Sequence, residues 1–184
     1  QKRCEWCLKE PVYMQYHDKE WGVPVHDDQK LFEFLVLESF QAGLSWLTVL
    51  KKRENFRKAF ANFDARKVAK FDRKKFKQLM NDAGIIRNRL KIEAAINNAK
   101  CFLSIQKEFG SFDKYIWSFV KGKTIVNRRR SLKQLPAKTM ISDTMSEEMG
   151  KRGFKFRGST ICYAFMQAVG MVDDHMIYCW RKGK

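Results

Sequence analysis

Apolar residues along the chain recur at three- and four-residue spacings, and Gly, Asp, Asn and Ser interrupt them where helices would begin or end. Pro11 opens a short helix carrying Val12, Tyr13, Tyr16 and His17. Asp27 or Asp28 can cap the next helix, which holds Leu31, Phe34, Leu35 and Glu38. Ser45 caps a long helix to Phe60, apolar at Trp46, Val49 and Leu50 and then basic from Lys51 to Arg53. Asn62-Phe-Asp64 ends it and caps a short helix through Lys70, and Asp72 caps a further helix from Arg73 to Ala83. Gly84 stops that helix. The next begins near Arg87 or Asn88 and reaches about Phe109, with Leu90, Ile92, Ala95, Ile96, Ala99 and Phe102 inward. Ser111 starts a helix over Phe112–Val120, and 121–138 form the one long linker. Ser142 caps a helix to about Gly150, and Ser159 or Thr160 caps the last, through about Val169. This pattern predicts an all-α protein, a single domain over residues 1–184 with two helical lobes.

One carboxylate breaks the pattern. Leu31, Phe34, Leu35 and Glu38 follow the i, i+3, i+4, i+7 spacing of a buried helix face, and the fourth is an acid. An unpaired buried carboxylate costs several kcal/mol, so Glu38 needs a partner or a cavity. A face-edge glutamate satisfied by a nearby Lys or backbone donor is the alternative. The spacing of Glu33 and Glu54 lets both point to water. Gln41-Ala-Gly-Leu44 breaks the helix just after the acid, and Ser45 restarts it at Trp46. An acid and a Trp thus meet at a corner able to hold a planar ligand. Tyr13 and Tyr16 share one face of the preceding helix, where they serve a site or simply the core.

Composition narrows the partners. Apolar residues make up 45% of the 184, including fifteen Phe, which is ample for a core. No run of eighteen apolar residues exists and the start lacks an apolar signal core, so a cytoplasmic protein with no membrane partner is expected. The net charge of +17 points to a polyanion, most often nucleic acid. Acidic membranes, the competing partner, usually call for an amphipathic basic helix beside an anchor. The turn at Gly84-Ile85-Ile86 between two helices has the outline of a helix-hairpin-helix module, with Arg87, Arg89 and Lys91 adding charge. The second glycine usual in that hairpin is replaced by Ile86 and Arg87. Arg128-Arg129-Arg130 reads as solvated charge. Gly158 and the hydroxyls of Ser159 and Thr160, beside Lys155 and Arg157, form a phosphate seat.

Metal ligands cluster at opposite ends. His175-x3-Cys179 places two donors one helical turn apart, and Cys4, Cys7 and His17 lie at the other end. Spacing alone permits Cys4/Cys7, Cys4/His17 or Cys7/His17 as the second pair. Cys101 and Cys162 fall on apolar helix faces and belong to the core, and His26 sits in a connector with nothing to recommend it as a ligand.

Ordered motifs along nearly the whole chain resemble the bacterial 3-methyladenine DNA glycosylase I family. They are Arg3-Cys4-x-Trp6, Pro11-x-Tyr13-x-x-Tyr16-His17-Asp18-x-x-Trp21-Gly22, Leu37-Glu38-x-x-Gln41-Ala42-Gly43-Leu44-Ser45-Trp46, Ala83-Gly84-Ile85-Ile86, Gly153-Phe154-Lys155-Phe156-x-Gly158 and Met166-Gln167-Ala168-x-Gly170. The resemblance implies a helix-hairpin-helix superfamily fold and excision of N3-methyladenine from alkylated double-stranded DNA. It also implies one structural zinc, held by Cys4, His17, His175 and Cys179, which joins the terminal segments. Carried over, the base pocket comprises catalytic Glu38 with Tyr13, Tyr16 and Trp46, and Trp6 and Trp21 near its wall. Gln41, Gly43 and Leu44 would wedge into the emptied stack, and Gly84, Arg87, Lys155, Arg157, Ser159 and Thr160 would meet the backbone. An ionised Glu38 would accept the exocyclic N–H of a cationic adenine and repel the carbonyl of a guanine. The protein should act as a monomer and release free 3-methyladenine, with no lyase step. Gln1, Cys7 and Trp180 stand outside the family's motifs. The catalytic aspartate that most helix-hairpin-helix glycosylases carry is absent from the family, and no Asp follows Gly84 here until Asp113. A zinc-stabilised damage-binding protein without catalysis is the alternative reading; a zinc hydrolase would need an open metal position.

Overall fold

The computed structural model describes residues 1–184. Its organising element is α2 (Asp28–Gln41), in which every residue from Leu31 to Phe40 is buried. A helix enclosed on all sides must be central, and α2 packs against the helices Trp46–Lys51, Arg89–Phe109, Phe112–Ser118 and Ser159–Ala168. Asp27 caps it by accepting from the Lys30 amide at 2.8 Å. Asp28, the other candidate, instead turns outward to accept from the amides of Phe112 and Asp113, tying α2 to the start of the helix Phe112–Ser118.

In chain order, α1 (Pro11–Lys19) leads to α2, followed by α3 (Trp46–Lys51) and α4 (Arg53–Ala59). The single long helix expected from Ser45 to Phe60 is therefore two, divided at Lys52. The division lets Arg53 and Phe56 both turn inward, which the straight periodicity did not provide for. Next come α5 (Ala65–Val68), α6 (Arg73–Met80) and α7 (Arg89–Phe109), then α8 (Phe112–Ser118), α9 (Met140–Lys151) and α10 (Ser159–Ala168). Asp64, Asp72, Asn88 and Ser111 cap α5, α6, α7 and α8 with their side chains. The expected cap of α9 shifts by three residues: Thr139 is the N-cap and Ser142 closes a reciprocal capping box with it. Helix α10 is capped by Gly158 without a side-chain bond, so neither Ser159 nor Thr160 caps it. Leu90, expected to face inward, is 64% exposed at the outer edge of α7.

The protein is not wholly helical. Ile125–Val126 (β1) pairs in parallel with Val172–Asp173 (β2), pinning the long linker to the C-terminal segment. One cluster of 45 buried residues draws on all ten helices. No helix is long and apolar enough to cross a membrane.

Candidate active site

A cavity of about 190 Å³ opens where α1, α2, α3 and α10 converge. Tyr13 and Tyr16 reach it from α1, Glu38 and Gln41 from the end of α2, and Trp46 from the first turn of α3. Trp6 and Trp21 close one side; their rings meet edge-on at 5.0 Å between centroids. Trp6 also stands edge-on to Tyr13 at 4.8 Å, and Tyr16 lies 5.4 Å from Trp46. The six residues expected around a base thus line one space. Leu135, Ala164 and Gln167 complete the wall. The sequence pattern marks none of these three as a site residue, although Gln167 belongs to the Met166-Gln167-Ala168-x-Gly170 motif.

Glu38 is 4% exposed, and its Oε2 is buried without a hydrogen-bond partner. The satisfied face-edge glutamate is therefore not what the fold builds. Burial alone pushes its carboxyl up to about 8. The free protein consequently holds Glu38 mostly protonated at neutral pH, so the ionised form expected against a cationic adenine calls for that cation in contact. Tyr16 beside it is raised well above the usual phenol range, first by burial and then by the Glu38 charge. Two further buried groups in this wall lack partners, the indole Nε1 of Trp6 and that of Trp46. Unpaired donors and a carboxyl around an aromatic-lined cavity are complementary to a flat, polar-edged molecule.

Glu33, five residues earlier on α2, does not point to water as its spacing suggested. It is buried and accepts from Arg53 Nε at 2.7 Å and Arg57 Nε at 2.8 Å. Although burial opposes it, the two guanidiniums hold the Glu33 carboxyl below its ordinary value.

Past Gln41 the chain turns sharply. Gly43 has φ +78°, and Leu44, 41% exposed, stands at the corner before Ser45 caps α3. Lys91 holds this corner from behind: its Nζ donates to the carbonyl of Phe40 at 2.8 Å and to that of Ala42. The sequence places Lys91 among the cations of the Gly84 turn, yet it is 6% exposed. Its helical register hid that role, because the carbonyls it meets lie 51 and 49 residues away.

The expected phosphate contacts are in mixed states. Arg87 and Lys155 are exposed and form no ion pair, whereas Arg89 pairs with Glu93 at 2.9 Å. At the turn, the Gly84 amide already donates to Asp82 Oδ1 at 2.8 Å, and a Cβ on Gly84 would come within 3.1 Å of Asn55. The Arg157 guanidinium folds back over Gly150 and donates to Ser146 Oγ at 3.2 Å. Ser159 Oγ is engaged by Asp143 at 2.6 Å and Ser142 at 2.8 Å, while Thr160 is exposed. Within the triple-Arg loop, Arg129 is no solvated charge: it donates to buried Asp174 at 3.2 Å.

Behind the cavity the chain ends meet. The donor atoms of Cys4, His17 and Cys179 lie within 4.8 Å of one another, all three side chains buried. Asp18 engages His17 Nδ1 at 2.8 Å, which turns Nε2 toward Cys179 Sγ at 3.4 Å. His175 is outside that group of three but stands beside it, its ring 5.0 Å from that of His17. Asp173 engages His175 Nδ1 at 2.8 Å, leaving a buried Nε2 with no partner. Each imidazole is thus oriented by a carboxylate, the usual arrangement around metal-bound histidine. Two thiols and two imidazole Nε2 atoms, one orphaned, suit a tetrahedral zinc. Gly22, at φ +77°, is required here because a Cβ would come within 2.8 Å of His175 Cε1. Cys7 instead donates its thiol to the Cys4 carbonyl.

Comparison with known proteins agrees in one direction. The methyladenine glycosylase family model matches residues 6–182. The chain is 49% identical to DNA-3-methyladenine glycosylase 1 of Escherichia coli (strain K12), over 97% of this chain and 95% of that protein. It is 50% identical to DNA-3-methyladenine glycosylase of Haemophilus influenzae, over 96% of each. Among solved structures, a variant of 3-methyladenine DNA glycosylase I in complex with 3-methyladenine superposes with a TM-score of 0.96. It is 37% identical, with 100% of this chain and 99% of that one covered.

Proposed function

The chain belongs to the methyladenine glycosylase family, and on that premise we propose that it excises 3-methyladenine from alkylated double-stranded DNA. The reaction is hydrolysis of the N-glycosidic bond, leaving an abasic site and free base with no lyase step. The observation that carries this reading is the unpartnered, buried carboxyl of Glu38 in an aromatic cavity.

A base inside a duplex is out of reach, so the damaged nucleotide must rotate into the cavity. Methylation at N3 makes the purine cationic and a good leaving group; the protein's task is selection and placement. The faces of Tyr and Trp attract such a ring by about 0.5–2 kcal/mol each. Glu38 answers the charge: a cation in contact favours its ionised form, which then accepts an exocyclic N–H. With a carboxyl near 8, giving up that proton at pH 7 costs about 1.4 kcal/mol, less than a charged hydrogen bond returns. The sugar passes through an oxocarbenium-like state that water captures.

The remaining assignments follow the same reading. One structural zinc on Cys4, His17, His175 and Cys179 would fix the terminal segments behind Trp6 and Trp21, supplying no chemistry. Leu44, with Gln41 and Gly43, would fill the vacated stack. The turn at Gly84 would serve as the hairpin of a helix-hairpin-helix fold, with Arg87, Lys155 and Thr160 meeting the backbone. Ser159 and Arg157 would support that surface from behind through their bonds to α9. The protein works as one domain, a monomer in the cytoplasm.

The test is release of free 3-methyladenine from methylated duplex DNA by the wild type, with Glu38→Gln run alongside. Tight binding of damaged DNA without release would favour a non-catalytic damage-binding protein instead.

A further inference from the structure

The cavity wall contains two glutamines, and they differ in one respect. Gln41 makes no hydrogen bond through its amide within the protein, so it can present either end. Gln167, on α10, donates its Nε2 to Asp174 Oδ2 at 3.0 Å. Asp174 is buried and also receives Asn127 Nδ2 at 2.8 Å, Arg129 Nε at 3.2 Å and the Tyr163 hydroxyl. The Arg129 guanidinium cannot accept, and a carboxylate paired with it is an acceptor toward Gln167 as well. That fixes which way the Gln167 amide points: nitrogen to Asp174, Oε1 free. The backbone is anchored too, since the Gln167 carbonyl accepts from the Gly22 amide at 3.0 Å.

We propose that Gln167 is a specificity-determining residue, reading the 6-position of the bound base as a fixed hydrogen-bond acceptor, with Asp174 as its positioning residue. The inference rests on the cavity being the base pocket. Other polar groups there cannot do this alone. Tyrosine hydroxyls rotate to suit either partner, and a protonated Glu38 can donate to a carbonyl as readily as an ionised one accepts from an amine. The Gln167 oxygen has no such freedom. It favours an exocyclic amine and sets lone pair against lone pair for a 6-oxo purine, while the unpaired indole donors of Trp6 and Trp46 suit ring nitrogens. Discrimination thus includes a repulsive element, not only an attractive one.

The experiment is calorimetric titration of 3-methyladenine and of its 6-oxo counterpart, 3-methylhypoxanthine, into the wild-type protein, Gln167→Leu and Asp174→Asn. The wild type should prefer the amino base. Gln167→Leu should shrink that preference by about tenfold, the worth of one hydrogen bond with its mismatch penalty, with metal content unchanged. Asp174→Asn, whose amide lets Gln167 turn over, should shrink it similarly. If Asp174→Asn fails to fold, Gln167→Leu decides alone. A wild type that binds neither base would overturn the base-pocket reading and this inference with it. A selective wild type whose preference survives Gln167→Leu would overturn the inference only.

Discussion

Two carboxylates on α2 are buried to nearly the same degree, 7% exposed at Glu33 and 4% at Glu38, and the fold treats them in opposite ways. Glu33 receives two guanidiniums and stays charged. Glu38 receives nothing from the protein and is pushed up to about 8. Burial therefore says little about an acid's role; what decides is whether the chain supplies the countercharge or leaves it to a ligand. Glu33 fastens α2 to α4. Glu38 is left without a countercharge in the free protein, and on the proposed function the cationic base would supply it.

This contrast can be broken by substitution, and the largest loss of stability should come from Glu33. Glu33→Gln leaves Arg53, itself 6% exposed, with only Glu20 as a carboxylate partner. Loss of a buried partner should lower unfolding free energy by about 3 kcal/mol, read from urea denaturation.

Glu38→Gln should move stability the other way. The native carboxyl binds its proton up to about 8, whereas the unfolded one releases it near 4.5, so Glu38 removes stability as pH rises between those values. The variant should gain about 2–4 kcal/mol over wild type at pH 8, with the gain fading toward pH 4.5. A pH-independent difference between their melting curves would show that Glu38 is not held protonated.

Lys91 tests whether the corner after Glu38 is held from behind. Lys91→Met strands the Phe40 and Ala42 carbonyls and should cost about 1–2 kcal/mol. Excision should fall further than free-base affinity, because the corner bearing Leu44 loosens while the cavity persists. Equal falls in both would place the effect in the cavity itself.

The smallest effect concerns surface charge. Lys155→Ala should reduce the slope of log K against log salt for undamaged duplex by about 1. Arg157→Ala, whose guanidinium lies on α9 rather than in solvent, should leave the slope nearly intact.

These contrasts mark what the sequence could and could not disclose. Local signals served well: Asp27, Ser45, Asp72 and Ser111 all cap where their spacing suggested, and the acid among apolar residues at 38 called for a partner or a cavity. Caps and periodicity depend on neighbours within a turn, which the linear pattern contains. Glu33 was misread because its partner is 20 residues away on a helix whose break at Lys52 no local pattern marks. Lys91 and the β1–β2 pair escaped for the same reason. Gln167 reaches its place through Asp174, itself fixed by Asn127 and Arg129 from the long linker. Such roles belong to contacts made only once the chain is folded.

The central claim is that Glu38 is kept without a partner for the sake of the base. Titrating free 3-methyladenine into wild type and Glu38→Gln measures it directly. The account predicts a loss of about 1.5–3 kcal/mol in binding free energy, while metal content and affinity for undamaged DNA hold steady. If Glu38→Gln binds the base as tightly as wild type, Glu38 is a packing residue and the contrast with Glu33 has no functional meaning.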